Sequence, residues 1–150
     1  MISDKPNATL PHREPFLWVT RLMARSESGT EGVVEYDVRE DLDIFRGHFP
    51  GKPIFPGVLQ IEAAAQSCLW VYEGELVPDA AKLSVLFVSV DSFKFKKPVI
   101  PPSTLRFSVK QVQKRGALQK WEANVHVADT LVSAGVLWVY SSRDEVQPTR

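Results

Sequence analysis

The chain has 150 residues, 44% hydrophobic and 24% charged, a balance that predicts one soluble globular domain and excludes extensive disorder. Eighteen Lys and Arg residues equal eighteen Asp and Glu residues in number, so no net charge directs the chain to nucleic acid or an anionic membrane. The single cysteine, Cys68, excludes an intramolecular disulfide and a multi-cysteine metal site, and it favours a cytoplasmic location.

Two short strands are predicted first along the chain, at residues 16–23 and 31–38. In the second, Val34, Tyr36 and Val38 alternate on one face, and the glycines before it mark a hairpin turn. No apolar core of a secretory signal precedes these strands. Residues 37–56 are rich in Gly, Pro and charge, which predicts a structured loop instead of a regular element.

A helix is predicted from Gly57 to about Tyr72, where the sequence VLQIEAAAQSCLWVY has no internal Gly or Pro. Apolar residues lie nearly all the way round it, which indicates that other elements cover it. It is too short to cross a bilayer and contains Glu62, so it is interpreted as a core helix.

Four strands are predicted after the helix, at residues 83–95, 105–114, 121–128 and 131–140. Alternating apolar residues support the second and the last of them; these are Leu105, Phe107 and Val109, then Val132, Ala134, Val136, Trp138 and Tyr140. Turn residues at 114–116 and 128–129 predict hairpins. The pattern predicts a single α+β domain over residues 1–150, with a curved antiparallel sheet around the central helix and a polar, frayed tail over 141–150.

The segment from Gly47 to Gly57 places three glycines and three prolines around His48. Prolines fix the backbone and glycines allow close approach of a ligand, so this segment predicts a rigid loop with an unusual shape. Imidazole titrates near neutral pH, so His48 on such a support suits proton transfer.

Glu62 and Gln66 lie one helical turn apart among apolar neighbours, close to the helix start at Gly57. Burial favours the protonated form of a carboxyl group, Gln66 can orient it, and a backbone N–H at the helix start can polarise a carbonyl oxygen. Together with His48 they supply a base, an acid and an oxyanion donor, which suits elimination of water beside a thioester carbonyl. A purely structural Glu62–Gln66 hydrogen bond is the alternative.

Three motifs resemble those of the 3-hydroxyacyl-acyl carrier protein dehydratases of dissociated (type II) fatty acid synthesis. They are LPHREPFL at 10–17, GHFPGKPIFPGVLQIEAAAQ at 47–66 and FKFKKPVIP at 93–101. The resemblance covers most of the chain and implies a hot-dog fold. It also implies dehydration of (3R)-3-hydroxyacyl chains on acyl carrier protein to the trans-2-enoyl product, with no external cofactor.

By this resemblance His48 is the catalytic histidine, Glu62 the catalytic carboxyl, Gln66 its support and Gly57 the backbone donor. The family implies a homodimer in which His48 faces Glu62 of the partner, and a possible trimer of dimers. Members that also isomerise the double bond place Asp at the carboxyl position and Trp before the glutamine, so Glu62 and Ala65 favour the non-isomerising branch.

Some residues depart from the family pattern or have ordinary interpretations. Pro102, Ser89 and the pair at 128–129 depart from it, which leaves acyl chain length and pathway open. His12 is interpreted as structural because no acidic partner adjoins it in sequence, and His126 as an ordinary strand residue. No metal site is predicted, and a local basic patch for the acidic carrier protein is predicted at Lys96, Lys97, Lys114 and Arg115.

Two alternative functions remain open from the sequence. A hot-dog thioesterase would hydrolyse a similar acyl thioester, but the His48 loop argues against it. A non-catalytic, dehydratase-like acyl-binding subunit would keep the fold alone, but the presence of both His48 and Glu62 argues against that.

Overall fold

The computed structural model describes residues 2–74 and 83–143, and the regular elements of these residues are one long helix, six strands and two short 3-10 helices. The strands and the helix are β1 (Arg21–Arg25), β2 (Glu31–Val38), α1 (Gly57–Glu73), β3 (Ser84–Phe95), β4 (Ser103–Arg115), β5 (Leu118–Val127) and β6 (Thr130–Ser142). The 3-10 helices are Pro6–Ala8 and Asp43–Arg46, and the second lies in the segment predicted to contain no regular element. The predicted α+β class is confirmed.

The six strands form one antiparallel sheet in the order β1-β2-β4-β5-β6-β3. Hairpins join β1 to β2, β4 to β5 and β5 to β6, and the two later tips have positive φ at Gly116 (59°) and Ala128 (51°). The chain passes from β2 through α1 to β3, which pairs with β6 at the far edge. The outer edge of β3 therefore has no partner strand among the described residues.

The helix α1 packs against one face of the curved sheet and is buried on nearly every side, as predicted. Gln60 and all residues from 63 to 71 are buried, and the buried side chains of Leu105 and Phe107 in β4 lie opposite Tyr36 and Val34 in β2. The helix ends at Glu73 and is capped by Gly74. The φ of Gly74 is 84°, a value that glycine adopts without strain, and the Gly74 N–H donates to the Trp70 carbonyl. Among the described residues, no helix has the length and apolar character needed to span a membrane.

The first strand begins later than predicted because part of its backbone bonds to a helix side chain. The Trp18 N–H donates to Oε1 of Gln66 at 2.9 Å, and Nε2 of Gln66 donates to the Phe16 carbonyl at 3.0 Å. These backbone groups are therefore not available to a neighbouring strand, and regular pairing starts only at Arg21.

The last strand is longer than predicted, and of its predicted apolar row only Val132 is buried. Leu137 and Val139 are buried, whereas the predicted apolar row at 136, 138 and 140 lies on the other face and is half-buried. Both rows are apolar, so period two alone does not identify the inner one. The strand continues through Ser141 and Ser142, which pair with β3, so the predicted frayed tail does not begin at 141. Residues 144–150 of that tail lie outside the described residues.

Candidate active site

His48 lies in a loop that is closed by its own backbone hydrogen bonds. The Ile54 N–H donates to the His48 carbonyl at 3.1 Å, and Phe49 and Lys52 exchange two backbone hydrogen bonds of 3.0 and 2.8 Å. The Phe55 N–H donates to the Val99 carbonyl at 2.8 Å, which ties the end of the loop to the segment after β3. The half-buried imidazole is therefore held by a small, internally bonded loop, as the Gly and Pro pattern predicted.

The contacts of the His48 ring define which nitrogen is free. Nδ1 lies 2.7 Å from the Ile54 carbonyl oxygen, and the Phe49 ring stacks on the imidazole at a centroid distance of 4.1 Å. A carbonyl oxygen can only accept, so the hydrogen of the neutral ring is on Nδ1. Nε2 then keeps its lone pair, which is the state that a general base requires.

Glu62 projects from the second turn of α1 and is held at one oxygen. Nε2 of Gln66 donates to Oε1 of Glu62 at 3.0 Å, while the Gln66 amide also bonds Phe16 and Trp18. Only 15% of the Glu62 side chain is exposed. The predicted contact between Glu62 and Gln66 is therefore present, and Gln66 links this carboxyl group to the opening segment of the chain.

Gly57 begins α1 beside an aromatic ring. A Cβ at this position would lie 2.9 Å from two atoms of the Phe95 ring, so the absence of a side chain lets the ring cover the helix start. The N–H groups of Gly57 and Val58 have no backbone acceptor among the described residues. They are available donors at the positive end of the helix dipole, and the role of Gly57 as an oxyanion donor stays a prediction.

His12 lies beside Glu62, a neighbour that sequence reasoning missed. Nε2 of His12 is 3.5 Å from Oε1 of Glu62, although fifty positions separate the two residues. No spacing rule connects residues so far apart, and only the docking of the opening segment on α1 brings them together. The absence of an acidic neighbour in sequence therefore does not mean that His12 lacks one in the folded chain.

Within the described part of the single chain, His48 and Glu62 do not share a hydrogen bond, an ion pair or a pocket. Glu62 lines a cavity of about 110 Å³ together with His12 and the β3 residues Val85, Leu86 and Phe87. A second cavity, of about 220 Å³, lies at Gly57 and is lined by Phe95 at the end of β3. The unpaired edge strand β3 thus borders both parts of the candidate site.

The four basic residues predicted as one carrier-protein patch are divided between the two ends of α1. Lys96 and Lys97 are exposed and line the cavity at Gly57. Lys114 places Nζ 5.4 Å from the centre of the Tyr72 ring at the other end, and Arg115 follows it at the hairpin tip. A helix of 17 residues separates these ends by about 24 Å, so the four do not form one patch within a chain.

The remaining chemically notable residues have ordinary surroundings. Cys68 is fully buried in the core, and burial raises the pKa of its thiol, which makes the thiol unreactive. His126 is half-buried in β5 opposite Arg106 of β4. In residues 2–74 and 83–143, no three His, Cys, Asp or Glu side chains are grouped so as to hold a metal ion.

One long helix packed on a six-stranded antiparallel sheet places the chain in the hot-dog fold class. The chain resembles the dehydratase heterocomplex ApeI:P from Xenorhabdus doucetiae with a TM-score of 0.74, 15% identity, and coverage of 91% of this chain and 90% of that one. It resembles the HP0420 homologue from Helicobacter felis with a TM-score of 0.66, 10% identity, and coverage of 96% and 93%. At these identities the likeness defines the fold only.

The family is defined by sequence comparison. The model of a FabA-like domain matches residues 10–136. A Helicobacter hepaticus protein named 3-hydroxyacyl-acyl-carrier-protein dehydratase FabZ is 36% identical over 144 aligned positions, with coverage of 89% of this chain and 85% of the relative. A Chloroflexus aggregans protein of the same name is 41% identical over 124 residues, with coverage of 83% and 84%. The chain belongs to the FabA-like family of 3-hydroxyacyl-acyl-carrier-protein dehydratases.

Proposed function

We propose that the chain dehydrates (3R)-3-hydroxyacyl groups on acyl carrier protein to trans-2-enoyl groups in fatty acid biosynthesis, in the cytoplasm and without an external cofactor. The observation that carries this proposal is the His48 ring, whose Nδ1 is bonded to the Ile54 carbonyl and whose Nε2 is left free as a base. The family relation and the Glu62–Gln66 contact support the same reaction.

The reaction needs one base and one acid on the two reacting carbons. Nε2 of His48 takes the proton from C2, and the C2–H electron pair forms the double bond as the C3–O bond breaks. Glu62 protonates the departing hydroxyl group, which leaves as water. An N–H at Gly57 stabilises the negative charge on the thioester oxygen. His48 then holds a proton and Glu62 lacks one, and exchange with solvent restores both groups.

We propose that two copies of the chain complete each site, with His48 of one subunit facing Glu62 of the other. The unpaired edge strand β3 exposes five large apolar side chains, at Leu86, Phe87, Val88, Val90 and Phe95, between 42 and 55% exposed. An apolar edge of this length favours pairing with a second copy. Because β3 borders both cavities, pairing there would bring partner residues to Glu62. Association of three such dimers stays a prediction.

Lys96 and Lys97 are proposed to contact the acidic carrier protein, because both line the cavity at Gly57 where the thioester carbonyl would bind. Replacing both by alanine is expected to raise KM for carrier-bound substrate by about tenfold, since exposed charges steer association. KM for a short crotonyl thioester should change less than twofold.

Two matched double variants define the location of carrier binding. Replacement of Lys110 and Lys120, on the sheet face away from α1, removes the same charge and should change neither KM. A larger effect from replacing Lys114 and Arg115 than from Lys96 and Lys97 would place docking at the opposite end of the helix. Equal effects of the Lys96 and Lys97 changes on both substrates would contradict docking there.

Incubation of the purified chain with crotonyl-coenzyme A tests the proposed function directly. Hydration, the reverse of dehydration, should remove the absorbance of the conjugated enoyl thioester without releasing free thiol. Release of thiol would indicate the thioesterase alternative. No change with crotonyl-coenzyme A or with a crotonyl-carrier protein would favour a non-catalytic acyl-binding subunit.

A further inference from the structure

We infer that His12 is a positioning residue for Glu62. Together with Gln66 it holds one carboxyl oxygen, so that the other oxygen presents the proton to the substrate. The inference rests on the proposed function of Glu62 as the acid, and it adds a residue from the opening segment to the site. It starts from the 3.5 Å approach of His12 Nε2 to Oε1 of Glu62.

The opening segment holds His12 firmly in place. Nη1 of Arg13 donates to the carbonyl oxygens of Leu10 and His12, both at 2.7 Å. Leu10 is fully buried, and the Thr9 hydroxyl donates to the Gly74 carbonyl at 2.7 Å. On the other side of His12, the Gln66 amide bonds Phe16 and Trp18. The backbone is therefore anchored both before and after His12, which fixes the imidazole beside α1.

The surroundings of the His12 ring define its tautomer. Its side chain is 17% exposed, and Nδ1 is buried with no hydrogen-bond partner among the described residues. A hydrogen on Nδ1 would leave an unpaired buried donor and would turn the Nε2 lone pair towards a carboxyl oxygen. A hydrogen on Nε2 instead points at Oε1 of Glu62. The separation exceeds an ordinary hydrogen bond, but catalytic hydrogen bonds often shorten when substrate binds.

Two donors on the same oxygen determine which oxygen of Glu62 can be acidic. Oε1 accepts from Gln66 and faces His12, whereas Oε2 has no partner among the described residues. A carboxyl group whose Oε1 accepts two N–H groups keeps its own proton on Oε2. When Oε2 gives that proton to the leaving hydroxyl, both donors stabilise the carboxylate that forms. His12 thus acts through Glu62 and not on the substrate.

The kinetic test compares three replacements of His12 in the full chain with (3R)-3-hydroxybutyryl-coenzyme A, whose dehydration is followed by the appearance of the enoyl absorbance. His12→Ala is expected to lower kcat for dehydration about tenfold, with KM changed less than twofold, because it removes one hydrogen bond that stabilises the carboxylate formed when Glu62 gives up its proton. A Gln amide nitrogen can occupy the place of Nε2 and an Asn nitrogen only that of Nδ1. His12→Gln should therefore recover most of kcat, and His12→Asn should not.

Several results separate positioning from a merely structural role. His126→Gln is the matched control and should leave kcat unchanged, and melting curves should show all variants folded. Equal kcat for His12→Ala and the unmodified chain, or equal kcat for the Gln and Asn variants, would overturn the inference. A raised KM with unchanged kcat would also overturn it.

A spectroscopic measurement tests the contact independently of turnover. The chain has three histidines, so the imidazole ¹⁵N and N–H signals can be assigned by replacing each in turn. His12 is expected to carry its hydrogen on Nε2, with an N–H signal that moves upfield or exchanges away after Glu62→Ala. A hydrogen on Nδ1, or an N–H signal unaffected by Glu62→Ala, would overturn the contact. An unmodified chain that is inactive on every enoyl thioester would instead overturn the proposed function.

Discussion

Replacing His48 by asparagine is expected to lower the rate of crotonyl-thioester hydration by about 10²-fold or more, the range for loss of a general base. The side-chain N–H of Asn can still donate to the Ile54 carbonyl, as Nδ1 does at 2.7 Å. Asn has no titratable nitrogen at the position of Nε2, so it can neither take the C2 proton in dehydration nor return it in hydration. The variant should therefore keep the loop and lose the proton transfer, and His48→Ala should lose both the hydrogen bond and the rate.

The measurement is kcat and kcat/KM for hydration, with circular dichroism and melting curves to show that the fold is kept. His126→Asn provides the matched control because it makes the same chemical change in β5, away from the His48 loop. A His48→Asn variant with a rate within about fivefold of the unmodified chain would mean that another group removes the C2 proton. Free-thiol release by that variant would indicate a second reaction at the site.

The regular elements with a strong period could be predicted from sequence because packing and pattern agree there. The helix starts at Gly57 as predicted, and β4 buries Leu105, Phe107 and Val109 as the alternation indicated. Prediction failed where backbone groups form hydrogen bonds to a side chain that is distant in sequence. Residues 16–20 have strand-forming composition, but the Gln66 amide binds their backbone at Phe16 and Trp18. Such a contact depends on tertiary placement and leaves no local signal.

In the candidate site, contacts between residues close in sequence could be predicted, whereas contacts between residues distant in sequence could not. The Glu62–Gln66 hydrogen bond follows from helical spacing, since residues four apart share a face. The approach of His12 to Glu62 follows from no spacing. The location of the predicted basic residues is also a long-range property, because their charge gives no sign that the topology places the two pairs at opposite ends of α1 within one chain.

Glu62→Gln is expected to lower hydration by about 10²-fold or more, because the amide keeps an oxygen for Gln66 but cannot take the proton of the attacking water, the reverse of the step that Glu62 performs in dehydration. Combined with a His48 variant, it also tests whether two chains share each site. In a random mixture of His48→Asn and Glu62→Gln chains, half of the dimers contain one of each. If sites are shared, each mixed dimer has one intact site and one doubly altered site, so activity should return to about a quarter of the unmodified level.

A second mixture checks the shared-site prediction, and isolated mixed dimers separate sites within one chain from incomplete exchange of subunits. An equal mixture of unmodified chains with chains carrying both changes has intact shared sites only in its unmodified homodimers, so about a quarter of full activity should remain. If each site lay within one chain, about half would remain there, and the first mixture would regain nothing. Mixed dimers isolated with two different affinity tags show that exchange has occurred. An active unmodified chain with no regain in such dimers would place His48 and Glu62 in one chain, and would leave the apolar edge of β3 without a catalytic role.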